Sequence, residues 1–133
     1  MDEFAGFSGE NLDLDGGTLL PGLIDCHVHL CYAGEPKPGR AVDDMLPGQI
    51  TVRALSHAQA SMRGGITAVR DCGGVNYLEF AVRDACNAGT FLGPSIRAAG
   101  RTICMTGGHG NRFGRVADGI DELVKAVREQ VHA

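Results

Sequence analysis

The chain has 133 residues, 44% hydrophobic and 21% charged, with 20 glycines and a formal net charge of -4. That length allows one small domain with a core but falls short of the ~250 residues of a complete βα-barrel, and the composition excludes a disordered or collagen-like chain. The negative balance and the scattering of Arg53, Arg63, Arg70, Arg83 and Arg97 argue against nucleic acid or an anionic membrane as a partner.

Residues 1–18 are polar and glycine-bearing, too poor in apolar side chains for a core of their own. They read as an extended lead-in to a single unit spanning 19–133. No apolar stretch near Met1 is long enough for a signal peptide or a membrane span, so a cytoplasmic location is the default expectation. The five cysteines (Cys26, Cys31, Cys72, Cys86 and Cys104) are odd in number and contain no CxxC pair. Reduced thiols are therefore expected, with no disulfide framework and no cysteine-only zinc site.

Residues 19–30 form the first predicted strand, which closes on Pro21-Gly22-Leu23-Ile24-Asp25-Cys26-His27-Val28-His29-Leu30. Alternation along a strand puts His27 and His29 on one face and Cys26 and Val28 on the other. Neutral imidazole is a common ligand of zinc and related divalent metals, so the pair is a candidate metal grip. Its bland alternative is two strand histidines that pack or hydrogen-bond. By the same alternation Asp25 faces the histidines, where it would orient an imidazole as an acceptor or cap the end of the strand.

A loop rich in glycine and proline follows over 34–48. The helical spacing of Ile50, Ala54, Leu55, Ala58 and Met62, stopped by Gly64-Gly65, predicts a helix over 47–62. Residues 66–70 are short and β-branched between glycines, which suits a second strand. A second helix is expected over 76–88, with Leu78, Ala81, Val82 and Ala85 on one face and Gly89 closing it. Residues 95–99 read as a third strand. After a glycine-rich loop over 100–119, Asp118 is placed to cap a helix carrying Ile120, Leu123, Val124, Val127 and Val131, the clearest periodic signal in the chain.

Three strand–helix alternations with glycine turns are the pattern of parallel βαβ units, whose right-handed crossovers put all three helices on one side. The expected fold class is α/β, a partial (βα) TIM barrel of about three βα units that stops where a fourth strand is due. In that frame His109, between Gly108 and Gly110, lies in the loop after the third strand, on the end of a barrel where active sites form. It is a candidate for contact with a substrate carboxylate or carbonyl, against the alternative of a surface loop histidine. Arg112 and Arg115 add loop cations, and Asp71 and Cys72 stand where pocket-lining groups would. His57 and His132 read as structural or surface residues. The loop around Gly107-Gly108 has the flexibility of an anion nest, but no P-loop lysine and no GxGxxG opening a helix supports a nucleotide site.

The Pro21–His29 segment, together with Gly64-Gly65-Ile66-Thr67-Ala68-Val69-Arg70-Asp71, Gly93-Pro94-Ser95-Ile96-Arg97-Ala98-Ala99-Gly100 and Thr106-Gly107-Gly108-His109-Gly110, resembles the metal-dependent amidohydrolase superfamily. Its nearest likeness is to the branch of imidazolonepropionase-like enzymes and Xaa-Pro dipeptidases, and it extends over about 15–131. The resemblance implies hydrolysis of a carbon–nitrogen bond (amide, peptide or lactam) in a small-molecule amide or dipeptide. It implies a divalent metal, zinc foremost, on His27 and His29, and a substrate contact from His109. Such enzymes complete the centre with a lysine or glutamate after the fourth strand, histidines after the fifth and sixth, and an aspartate after the eighth. No position here matches any of these, so no catalytic residue is assigned and the chain reads as incomplete for catalysis. The competing expectation is a catalytically inactive fragment or pseudoenzyme serving as a binding or assembly module. Exposed strand edges also raise the expectation of a homo-oligomer in which partial barrels complete one another.

Overall fold

A computed structural model describes residues 9, 10 and 12–133; the rest of the expected lead-in, residues 1–8 and 11, lies outside the described residues. The chain enters β1 (Leu23–Val28), passes a short helix α1 (Pro38–Ala41), and continues through α2 (Pro47–Arg63), β2 (Ile66–Asp71), α3 (Leu78–Asn87) and β3 (Ser95–Ala98). Two two-residue strands, β4 (Ile103–Cys104) and β5 (Arg115–Val116), precede α4 (Gly119–His132). The first three strands form a parallel sheet in the order β1-β2-β3, and β4 pairs with β5 in a separate parallel ribbon.

Local chemistry accounts for these elements. Pro47 opens α2 where a missing N–H leaves no helical bond unmade, and Gln49 Oε1 accepts the Leu46 backbone N–H at 2.8 Å. Ile50, Ala54 and Ala58 form its buried stripe. Val69 and Ile96, paired across β2 and β3, are 2% and 0% exposed, and with Val82 and Cys86 of α3 they join one core beneath the two helices. Side chains on the opposite face of the sheet, Arg70 and Arg97 among them, are exposed. No helix among the described residues is long and apolar enough to cross a membrane, and all five cysteines are free thiols.

The strand β3 is held on its helix side by a single amide. Asn87, the last residue of α3, accepts the Ile96 N–H through Oδ1 at 2.9 Å and donates Nδ2–H to the Ile96 carbonyl at 3.0 Å. Asn87→Ala leaves both backbone groups without a protein partner and is expected to lower stability by about 1–2 kcal/mol. Urea denaturation checks this; an unchanged midpoint would mean that β3 is held without the clamp.

Two expectations need correction. The loop over 100–119 is not irregular throughout, since it contains the β4–β5 ribbon. Asp118 occupies the N-cap position of α4 but makes no side-chain cap: its carboxylate accepts the Thr106 N–H at 3.0 Å and the Thr106 hydroxyl, which together hold it below the usual carboxylate range. The start of α4 is thereby tied to the loop that carries His109.

Candidate metal and substrate site

The two histidines stand at the carboxyl end of β1, beside the segment that follows β2. His27 lies in β1 and His29 one residue beyond its end; their ring centroids are 5.3 Å apart with the planes at 67°. Two imidazoles bonded to one tetrahedral ion through nitrogens at about 2.1 Å hold their centroids roughly 5 Å apart, a separation this pair matches. The second nitrogen of His29 is already engaged: Nδ1 is 2.9 Å from the Gly73 carbonyl oxygen. A carbonyl only accepts, so Nδ1 carries the proton and Nε2 keeps the lone pair a metal requires.

Asp25 reaches His27 through the backbone, its Oδ1 accepting the His27 N–H at 3.0 Å. The register of β1 on β2 is irregular between Asp25 and Val28, which interrupts the strict alternation that would carry Asp25 to the histidine face. The acceptor that an imidazole does meet, Gly73, carries no side-chain signal in the sequence. Among the described residues no group of three or more His, Cys, Asp or Glu side chains is arranged to hold a metal.

Beside His29 opens a cavity of about 510 Å³ lined by His29, Tyr32, Lys37, Arg40, His109 and Phe113, with Ala33 and Arg112 completing the wall. The structure thus brings His29 and His109, 80 positions apart in sequence, to one cavity. Tyr32 packs between His29 and Phe113, with centroid separations of 6.1 and 5.3 Å. Burial pushes the Tyr32 phenol well above its ordinary range, so it stays a neutral donor. Arg112 pairs with Asp43, linking the loop after β3 to the segment between α1 and α2. Arg115 stands away from the cavity, bound to Glu129 of α4 at 2.7 Å.

Sequence reasoning missed Tyr32, Lys37 and Phe113, in loops, and Arg40, in the short helix α1; the glycine and proline content of these segments masked them. It also placed Asp71 and Cys72 at a pocket wall. Asp71 is instead fully buried, and Cys72 is half-buried with its thiol near the Cys26 carbonyl. His57 is structural as expected, with Nδ1 2.8 Å from the Leu30 carbonyl oxygen.

Residues 18–133 match the amidohydrolase family. An ochratoxinase of Aspergillus niger is 28% identical over 143 residues, covering 86% of this chain and 28% of its own length. The imidazolonepropionase of Hahella chejuensis is 34% identical over 66 residues, 49% of this chain and 14% of its own. Among solved structures, an amidohydrolase superposes with a TM-score of 0.78 at 32% identity, over 93% of this chain and 34% of its own. A Xaa-Pro dipeptidase with methionine bound in its active site superposes with a TM-score of 0.71 at 30% identity, over 84% and 31%. The chain therefore spans about a third or less of the length of the relatives it matches. The parallel strands, the histidine pair at the end of the first and the match over residues 18–133 have one reading: the chain belongs to the amidohydrolase family.

Proposed function

We infer that this chain supplies the first three βα units of a metal-dependent amidohydrolase barrel, over 19–133, acting on the carbon–nitrogen bond of a small amide that carries a carboxylate. The observation that carries this reading is the His27–His29 pair, of which His29 lines a cavity whose wall is both aromatic and cationic. His27 and His29 would hold the divalent metal, zinc foremost, which when bound polarises a carbonyl and lowers the pKa of water from 15.7 to about 7. Lys37 and Arg40 offer positive charge to a substrate carboxylate, Arg112 lines the same wall paired with Asp43, and His109 offers a ring nitrogen from the facing loop. Tyr32 and Phe113 form an apolar wall that excludes water from one side of the bound molecule.

Two imidazoles are short of the three protein ligands usual in a catalytic zinc site, so turnover requires further groups beyond those the described residues bring together. A cytoplasmic setting agrees with the free cysteines. Zinc titration by calorimetry tests the reading: wild type is expected to bind one ion, and His27→Ala/His29→Ala to lose that binding altogether. Wild-type binding no tighter than that of the double variant would sink the metal assignment.

A further inference from the structure

The segment that presents His29 is held from below by one buried carboxylate. Asp71, the last residue of β2, is 0% exposed. Its Oδ2 accepts the Leu30 N–H at 2.8 Å, and its Oδ1 accepts the Gly73 N–H, also at 2.8 Å. Leu30 follows His29 directly, and the Gly73 carbonyl is the group that meets His29 Nδ1 at 2.9 Å. One side chain therefore sets the distance between the imidazole and its acceptor. The Leu30 carbonyl is taken in turn by His57 Nδ1 at 2.8 Å, so the residue after His29 is gripped at both backbone polar groups.

We propose that Asp71 is a positioning residue: through Gly73 it fixes His29 as the Nδ1–H tautomer and leaves Nε2 free for a metal ion. Gly73 is suited to this task because its φ is +148°, and a Cβ there would lie 2.2 Å from Thr102 Oγ1; only glycine passes between Asp71 and Thr102 with its carbonyl turned to His29. Asparagine cannot replace Asp71. It offers one acceptor oxygen where two N–H groups must be met, and its NH2 would face a backbone donor. With that donor unmatched, the Leu30 and Gly73 segments part, and the carbonyl that selects the tautomer is withdrawn.

The role assigned to Asp71 rests on the metal reading of His29, but the tautomer can be read without metal. The experiment is a long-range 1H–15N correlation of histidine-labelled, metal-free protein under alkaline conditions, where imidazole is neutral, followed by zinc titration. Wild type is expected to show His29 as Nδ1–H. Asp71→Asn is expected to shift it toward Nε2–H and to weaken zinc binding by about 10- to 100-fold. Ile96→Val, a core truncation that removes none of the Asp71 hydrogen bonds, is the control and should leave the His29 tautomer unchanged.

A folded Asp71→Asn protein with His29 still Nδ1–H overturns the proposal, as does a tautomer shift of equal size in the control. If Asp71→Asn does not fold, wild type decides alone: Nε2–H at His29, or fast hydrogen exchange at the Leu30 and Gly73 amides, overturns it. A wild type that shows the Nδ1–H tautomer yet binds no zinc instead overturns the metal reading, and with it the purpose assigned to the clamp.

Discussion

At high concentration the chain is expected to sediment as a dimer or larger species, and Leu123→Asp/Val127→Asp to return it to monomer. The helix α4 carries Ile120, Leu123, Val124, Val127 and Val131 in one stripe, exposed by 80, 44, 42, 51 and 83%, while Ala126 is its only buried residue. An amphipathic stripe of this length turned to solvent is the signature of an association surface. Leu19, Leu20, Leu23 and Ile24 add a second exposed apolar group around the start of β1, each at least 60% exposed.

Area supports the same conclusion. A compact protein of 14.0 kDa exposes roughly 6,700 Å², whereas this chain exposes 9374 Å². Part of the excess lies on the exposed apolar side chains of α4 and of the start of β1. In a solved amidohydrolase the matching part is 34% of the chain, so the family sets such units among further protein. For this polypeptide alone the expected occupant is a second copy. Two aspartates on the stripe would each have to be buried unpaired in the contact, at a cost of several kcal/mol. Sedimentation velocity over a hundredfold range of concentration decides; a monomer throughout would remove the assembly reading.

The same helix shows where sequence reading reached its limit. Period-3.6 patterning located α4 and α2 within a residue or two, and a β-branched run between glycines located β2, because those signals are local. The pattern says which face is apolar but not what covers it, and the α4 stripe faces solvent. At the site, the HxH spacing was legible because two ligands on one strand need only two residues of separation. Asp71 was not, since its partners Leu30 and Gly73 are backbone groups that any residue type supplies, 41 positions away in one case. Likewise Tyr32 and Phe113 meet only through the closure of two loops, and closure leaves no periodic trace. The irregularity between Asp25 and Val28 broke an alternation that the sequence alone presents as unbroken.

Glu79→Gln is expected to stabilise the folded chain at pH 8 by on the order of 3 kcal/mol, roughly 10 °C in melting temperature, and to have little effect near pH 4.5. Glu79 sits in the first turn of α3, fully buried. Its Oε1 has no hydrogen-bond partner among the described residues, and Oε2 lies 3.9 Å from the Cys31 thiol. Gly74 makes room for it, since a Cβ there would fall 1.8 Å from Oε2. Burial lifts its carboxyl to about 7, with Asp71 adding to the rise, while its own backbone amide, Arg83 and Cys31 pull the other way. The same burial holds the Cys31 thiol up at about 12, so Cys31 stays uncharged across the range of interest. In the unfolded chain Glu79 ionises near 4.5, as an ordinary glutamate does. Between that value and about 7 the folded state therefore binds the proton more tightly, and stability falls as pH rises through this window, then levels off. Glutamine has the same shape and no such titration, so the variant keeps the stability that wild type loses. Thermal melts of metal-free wild type and variant at pH 4.5 and pH 8 give the answer: a gap that opens only at the higher pH supports a buried, proton-holding Glu79, and an equal gap at both would refute it.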